Sequence, residues 1–150
     1  MKKLSLLSAI SVIILSMTLT GCEVSGNGDL DGFWYMTRLD SIATGQSCDM
    51  RPARLSWSVQ AKIIQFFDHE KNDLKRIPMA RFEHDGNTLT ISEAFIYNRM
   101  DGDEPLTADS LYLVRPYGVN SLPDTYHVEK LTSSRLQISD DVVRLYFEKY

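Results

Sequence analysis

Between residues 55 and 63, Leu55, Trp57, Val59, Ala61 and Ile63 alternate with Ser56, Ser58, Gln60 and Lys62. This is the two-residue period of a strand with one apolar face and one wet face. After Ile63 the parity switches, because Ile64 and Phe66 take the apolar positions. The pattern predicts one long strand over 54–67, broken by a bulge or ending where both faces become buried.

A hairpin follows in MARFEHDGNTLTIS. With Asp85 and Gly86 as a two-residue turn, Phe82 faces Leu89 and Ala80 faces Ile91, while Glu83 faces Thr88 and Arg81 faces Thr90. Apolar pairs fall on one face and polar pairs on the other, so turn chemistry and hydrophobic pattern agree. Further strands are predicted at 32–40, 109–115, 125–131, 135–139 and 142–149, with 76–84 and 87–97 forming the hairpin. Turns are placed at Thr132 to Ser134 and at Asp140 to Asp141. Eight antiparallel strands in order, with no αβ alternation, predict an all-β up-and-down barrel whose closure removes exposed edges. A β-sandwich is the alternative.

The first stretch of the chain has a different character. Lys2 and Lys3 precede an apolar run from Leu4 to Leu19, the charged and apolar regions of a secretory signal. Its end, Leu19-Thr20-Gly21-Cys22, resembles the bacterial lipoprotein signal, in which the cysteine is acylated and cleavage falls before it. Two or three acyl chains hold a protein at a membrane almost permanently. The expected organisation is therefore a signal peptide at 1–21, a flexible lipid-anchored tether at 22–29 and a barrel domain at 30–150. The tether is read from the small polar residues Glu23 to Asp29.

Loss of the leader leaves 129 residues and removes two of the sixteen Lys and Arg, while the twenty Asp and Glu remain, giving a net charge of −6. That balance argues against nucleic acid as a partner. With Cys22 acylated, Cys48 has no intramolecular partner, which excludes a disulfide framework.

The opening GDLDGFWYM, with Gly32 and Trp34 at the start of the first strand, resembles the lipocalin signature in which a Gly precedes a Trp that plugs one barrel end. With the lipoprotein leader and the ending YHVEKLTSSRLQI...RLYFEK, the chain resembles the small lipocalin-like lipoproteins of Bacteroidetes. The resemblance implies an eight-stranded barrel, an Arg of the last strand over Trp34, and residence at the bacterial outer membrane on its periplasmic or outer face. Arg144 has the opposite parity to Leu145 and Phe147, so it departs from the family in that role. The resemblance also places loop 41–53 across the open mouth, where Cys48 and Met50 become candidate ligand-facing residues together with the inward Trp57 and Phe82. The triplets Asp40-Ser41-Ile42 and Asp109-Ser110-Leu111 resemble a short O-glycosylation sequon of exported Bacteroidetes proteins.

Motifs for chemistry are missing. The sequence has no G-x-S-x-G, no H-E-x-x-H, no phosphate-binding glycine loop and no Cys pair at metal spacing, and His69, His84 and His127 are scattered. Asp101, Asp103 and Glu104 read as a solvated turn. The expectation is a non-enzymatic, lipid-anchored barrel without cofactor or metal that binds a small apolar or amphipathic ligand. The alternative is a side-chain-filled barrel that docks or inhibits an envelope protein.

Overall fold

The computed structural model describes residues 26–71 and 76–150, so the expected leader and Cys22 lie outside the described residues. The chain forms β1 (Gly32–Ser41), β2 (Ser47–Asp49), β3 (Leu55–Gln60), β4 (Ile63–Asp68), β5 (Pro78–Asp85), β6 (Thr88–Ile96), β7 (Glu104–Pro105), β8 (Asp124–Leu131), β9 (Arg135–Ser139) and β10 (Val143–Lys149). Eight of these make a closed antiparallel barrel in the order β1-β3-β4-β5-β6-β8-β9-β10, shut by pairing of β10 with β1 from Trp34↔Lys149 to Ser41↔Val143. The short β2 covers the edge of β1 at Arg38 to Asp40, beyond the reach of β3, and β7 pairs with the end of β6.

The eight-strand barrel is the predicted one, but two of its strands are not. The segment 54–67 is a hairpin, β3 and β4, reversing at Ala61–Lys62 with Ala61 at φ 53°. A two-residue turn pairs residue i with i+3, so the inward parity must flip between the strands. The pairs Val59↔Ile64 and Trp57↔Phe66 show that flip, which explains the parity switch in the sequence. The β5–β6 hairpin closes one residue later than expected, with Asp85↔Thr88, so Phe82 faces Ile91 and His84 faces Leu89. Only Gly86 of its turn has positive φ, the pattern of a type II′ turn with Gly first. From Phe82 to Asp85 the partners move by two residues, which keeps those side chains on their expected face, and beyond a bulge between Arg81 and Phe82 the partners of Arg81 and Ala80 are Glu93 and Ala94.

The segment 109–115 is no strand. It forms a 3₁₀ helix, Ala108–Leu113, followed by a tight turn at Arg115–Tyr117. Leu111, Val114 and Tyr117 are buried at intervals of three, the period of a 3₁₀ helix. This segment folds into the barrel as a plug.

The two ends are closed differently. At the base, where β1 begins, residues ahead of the predicted boundary at Leu30 already pack on the barrel. Asn27 donates from Nδ2 to the Ala61 carbonyl at 2.6 Å, and Gly28–Leu30 makes a 3₁₀ turn with Leu30 buried, so these residues belong to the barrel and not to a tether. Trp34, fully buried, donates from Nε1 to the Leu30 carbonyl at 2.8 Å. At the other end, the mouth, the plug enters. Gly118 carries φ +92°, and a Cβ there would lie 2.5 Å from Leu145 Cδ1. Its carbonyl accepts from the Tyr126 hydroxyl at 3.0 Å, while the Tyr117 carbonyl accepts from Trp57 Nε1 at 3.2 Å. Among the described residues, this backbone and the buried side chains around it fill the centre of the barrel.

Candidate functional site

Because the plug fills the interior, open space lies to one side. Strands β4 and β5 pair only from Ile63↔Arg81 to Gln65↔Met79, and the wall parts beyond. A recess of about 530 Å³ opens there. Its floor is apolar and buried: Phe66 from β4, Ile96 from β6 and Tyr117 from the plug. Phe33, Phe67, Ile77 and Pro78 form its sides, and Tyr112 and Leu113 of the plug face them. Asp68, His69, Lys71 and Arg76 supply polar groups at the rim. A volume of this size, with an apolar floor below a polar rim, suits a small ligand. A second groove of about 680 Å³ runs over Tyr126 and past Asn120, Ser121, Asp124, Asp140 and Asp141, so that three carboxylates line it.

The rim charges are balanced. Lys71 Nζ lies 3.1 Å from Asp68 and Arg76 lies 3.4 Å from Glu104. Burial alone pushes the Asp68 carboxyl up, but hydrogen bonds from the Lys71 backbone and ammonium and the Glu70 backbone outweigh it and hold the group below the usual range. Burial, helped by the nearby Asp68 charge, pushes the Tyr117 hydroxyl up to about 12. Tyr117 is therefore neutral at ordinary pH, as an apolar floor requires.

His69 ties the recess to the outer wall. Its Nε2 is 2.8 Å from Ser56 Oγ, and its ring packs with Phe33, Tyr35 and Phe67 at centroid distances of 5.7, 5.3 and 6.2 Å. The Ser–His spacing would suit a nucleophile and its base. Ser56 is fully covered, however, so no substrate reaches its hydroxyl. Of the other histidines, His84 is half-buried on β5 and His127 is exposed on β8. Among the described residues no three His, Cys, Asp or Glu side chains gather for a metal ion. At the acidic turn, Asn98 Oδ1 accepts from the Met100 and Asp101 backbones, and Glu104 pairs with Arg76.

The four residues read as ligand-facing do not come together. Cys48 is exposed on β2, Met50 is half-buried against the core, and Trp57 and Phe82 are buried inside the barrel. None of them lines the recess. Trp57 touches its floor from behind, with ring centroids 5.5 Å from Phe66. Of the two triplets, Ser41 is at the end of β1, while Ser110 bonds to Thr107 in a capping box and Leu111 is buried.

Gly32 and Trp34 do form the barrel end. Gly32 has φ +129°, and an added Cβ would meet Lys149 Cε at 3.3 Å. The cation over Trp34 is Lys149, with Nζ 4.6 Å from the ring centroid, while Arg144 points outward and binds Glu129 at 2.9 Å. Lys149 was readable in the sequence: Val143, Leu145 and Phe147 share a face, and Lys149 is the next residue on it.

A closed eight-stranded antiparallel barrel, capped at its base by a Gly-x-Trp turn under a cation, defines the lipocalin-like class. The chain belongs to the family of the lipocalin-like domain, whose model matches residues 17–150. Among solved structures, a lipocalin-like protein from Bacteroides uniformis superposes with a TM-score of 0.59 at 18% identity, covering 82% of this chain and all of that one (100%). An uncharacterised protein from Bacteroides eggerthii matches with a TM-score of 0.57 at 13% identity, covering 80% and 98%. At these identities the likeness concerns the fold. No curated protein matches the chain.

Proposed function

We propose that this protein is a non-catalytic, lipid-anchored carrier or sensor of the bacterial outer membrane that binds a small amphipathic molecule in the recess between β4, β5 and the plug. The observation that carries this reading is the 530 Å³ recess, with an apolar floor of Phe66, Ile96 and Tyr117 below a polar rim. Lipid anchoring rests on the Leu19–Cys22 motif and on the acyl chains it would receive. Binding inside the barrel axis, expected of an open lipocalin, is disfavoured because the plug occupies that volume.

Native mass spectrometry of the protein taken from its own envelope tests the ligand reading. A reproducible small-molecule adduct, lost on denaturation and absent from a Leu113→Trp variant that fills the recess from the plug side, is the expected result. An adduct that survives Leu113→Trp places the ligand elsewhere.

One set of observations favours a second reading. Ile42, Tyr97, Met100, Tyr112 and Val142, five of the large apolar side chains exposed on the surface, lie at or beside the mouth. With a filled interior, such a rim suits docking to another envelope protein. Loss of a co-purifying partner from a Met100→Ser, Tyr112→Ser variant would favour that reading over the ligand.

A further inference from the structure

The recess and the barrel core are separated by the buried floor of Phe66, Ile96 and Tyr117. Tyr117 is 5% exposed, lines the recess on one side, and stacks on Phe66 with centroids 5.2 Å apart. Behind the stacked pair is Trp57, whose ring lies 5.5 Å from Phe66 and whose Nε1 donates to the Tyr117 backbone carbonyl at 3.2 Å. Behind Trp57 come Phe147, at a centroid distance of 5.0 Å, and Tyr126, at 6.3 Å. An elongated ligand entering from the rim therefore ends on this floor, where the Tyr117 ring is the one side chain contributed by the plug and not by a barrel strand.

We infer that Tyr117 is the specificity-determining residue of this protein: its ring is the depth stop of the recess and sets the longest apolar tail the site takes. This rests on the recess being the ligand site. The residue that measures the ligand thus comes from the plug and not from a barrel strand. The plug's backbone is fixed on both sides of the stop, since the Tyr117 N–H donates to the Val114 carbonyl at 3.0 Å and the Gly118 carbonyl accepts from the Tyr126 hydroxyl at 3.0 Å. Shortening the side chain at 117 should lengthen the recess toward Trp57 without releasing the plug.

The test uses straight-chain carboxylates from octanoate to hexadecanoate, with binding read by calorimetry and by tryptophan fluorescence. In the wild type, affinity should rise about fourfold per added methylene until the tail reaches Tyr117, and then level off. In Tyr117→Ala the plateau should move to longer homologues, with hexadecanoate gaining roughly tenfold over wild type. Tyr117→Leu, which keeps more of the core filled, should give an intermediate plateau and guards against a misfolded alanine variant. Tyr117→Phe should behave as wild type, because the ring and not the hydroxyl is the stop. Tyr112→Ala, at the 65% exposed rim, should alter all homologues alike. If wild type and the Tyr117 variants bind with the same plateau while Leu113→Trp abolishes binding, the depth stop is wrong and the recess stands. If wild type binds no homologue, the recess reading itself fails and this inference with it.

Discussion

The ammonium of Lys149 lies 4.6 Å from the centre of the Trp34 ring and donates to the carbonyls of Asp29, at 2.7 Å, and Asp31, at 2.8 Å. One side chain of the last strand thus joins the first strand and the entering chain, closing the barrel where its two ends meet. Lys149→Met keeps the stem but loses the cation–π contact and both bonds. It should cost about 1–3 kcal/mol, read from urea unfolding at neutral pH. Lys149→Arg should recover part of that loss. Equal midpoints for Lys149→Met and wild type would remove this contact from the account of stability.

The plug requires glycine at 118. With φ +92° and Leu145 Cδ1 2.5 Å from the Cβ position, Gly118→Ala combines a left-handed backbone with overpacking. Leu145 is fully buried and has no free direction to move. The expected loss is about 3 kcal/mol in chemical unfolding. Adding Leu145→Ala should cost less than the sum of the two single changes, because the second substitution relieves the clash made by the first. Simple additivity would mean that the two residues do not press on each other.

The sequence foretold a barrel of eight strands, although two local assignments were mistaken in opposite directions. One expected strand, 54–67, is two, and another, 109–115, is none. The first error arises because Ala61–Lys62 carries no Gly, Asn or Pro to mark a turn, leaving only the parity flip. The second arises because LYLV reads as a strand by composition, whereas the spacing of Leu111, Val114 and Tyr117 by threes shows only when Tyr117 is counted past Pro116. Gly32 and Trp34 were legible because their geometry is local to one turn. The recess was not, since Phe66, Ile96 and Tyr117 meet only through the wall split and the inserted plug.

Two carboxylates should give opposite responses to pH. Burial raises the Asp124 carboxyl above its ordinary value, against the bonds it accepts from the Asn120 N–H and the Tyr126 hydroxyl. The folded state therefore holds this proton to higher pH than the unfolded state does. Between the unfolded value, near 3.9, and the raised folded one, Asp124 makes stability fall as pH rises. Asp124→Asn should flatten that slope in urea unfolding measured across the acid range. Asp40 is the reverse case, held well below its ordinary value by Arg38, which donates from Nε at 2.8 Å and from Nη2 at 2.6 Å. Its contribution is present above the ordinary carboxylate range and is lost as pH falls through the depressed value. Asp40→Asn should thus weaken the protein at neutral pH and converge on wild type in strong acid. A deficit that stays constant with pH would assign the effect to packing.

Cys48 separates the mouth loop from the recess as the place where a ligand binds. It lies on β2 opposite Leu39 of β1, with an exposed thiol whose contact is a 3.8 Å approach of Sγ to the Asp49 carbonyl. Iodoacetamide should modify it in the native protein as fast as in a peptide, with the site located by peptide mass mapping. Cys48→Ser should change stability by no more than about 0.5 kcal/mol, because the thiol packs against nothing that holds the core. A ligand seated on the floor of Phe66 and Tyr117 leaves that thiol in solvent, so saturating ligand should give no protection. Protection of Cys48, with no change in the emission of Trp57 behind the recess floor, would move the binding site to the loop that carries Cys48 and Met50.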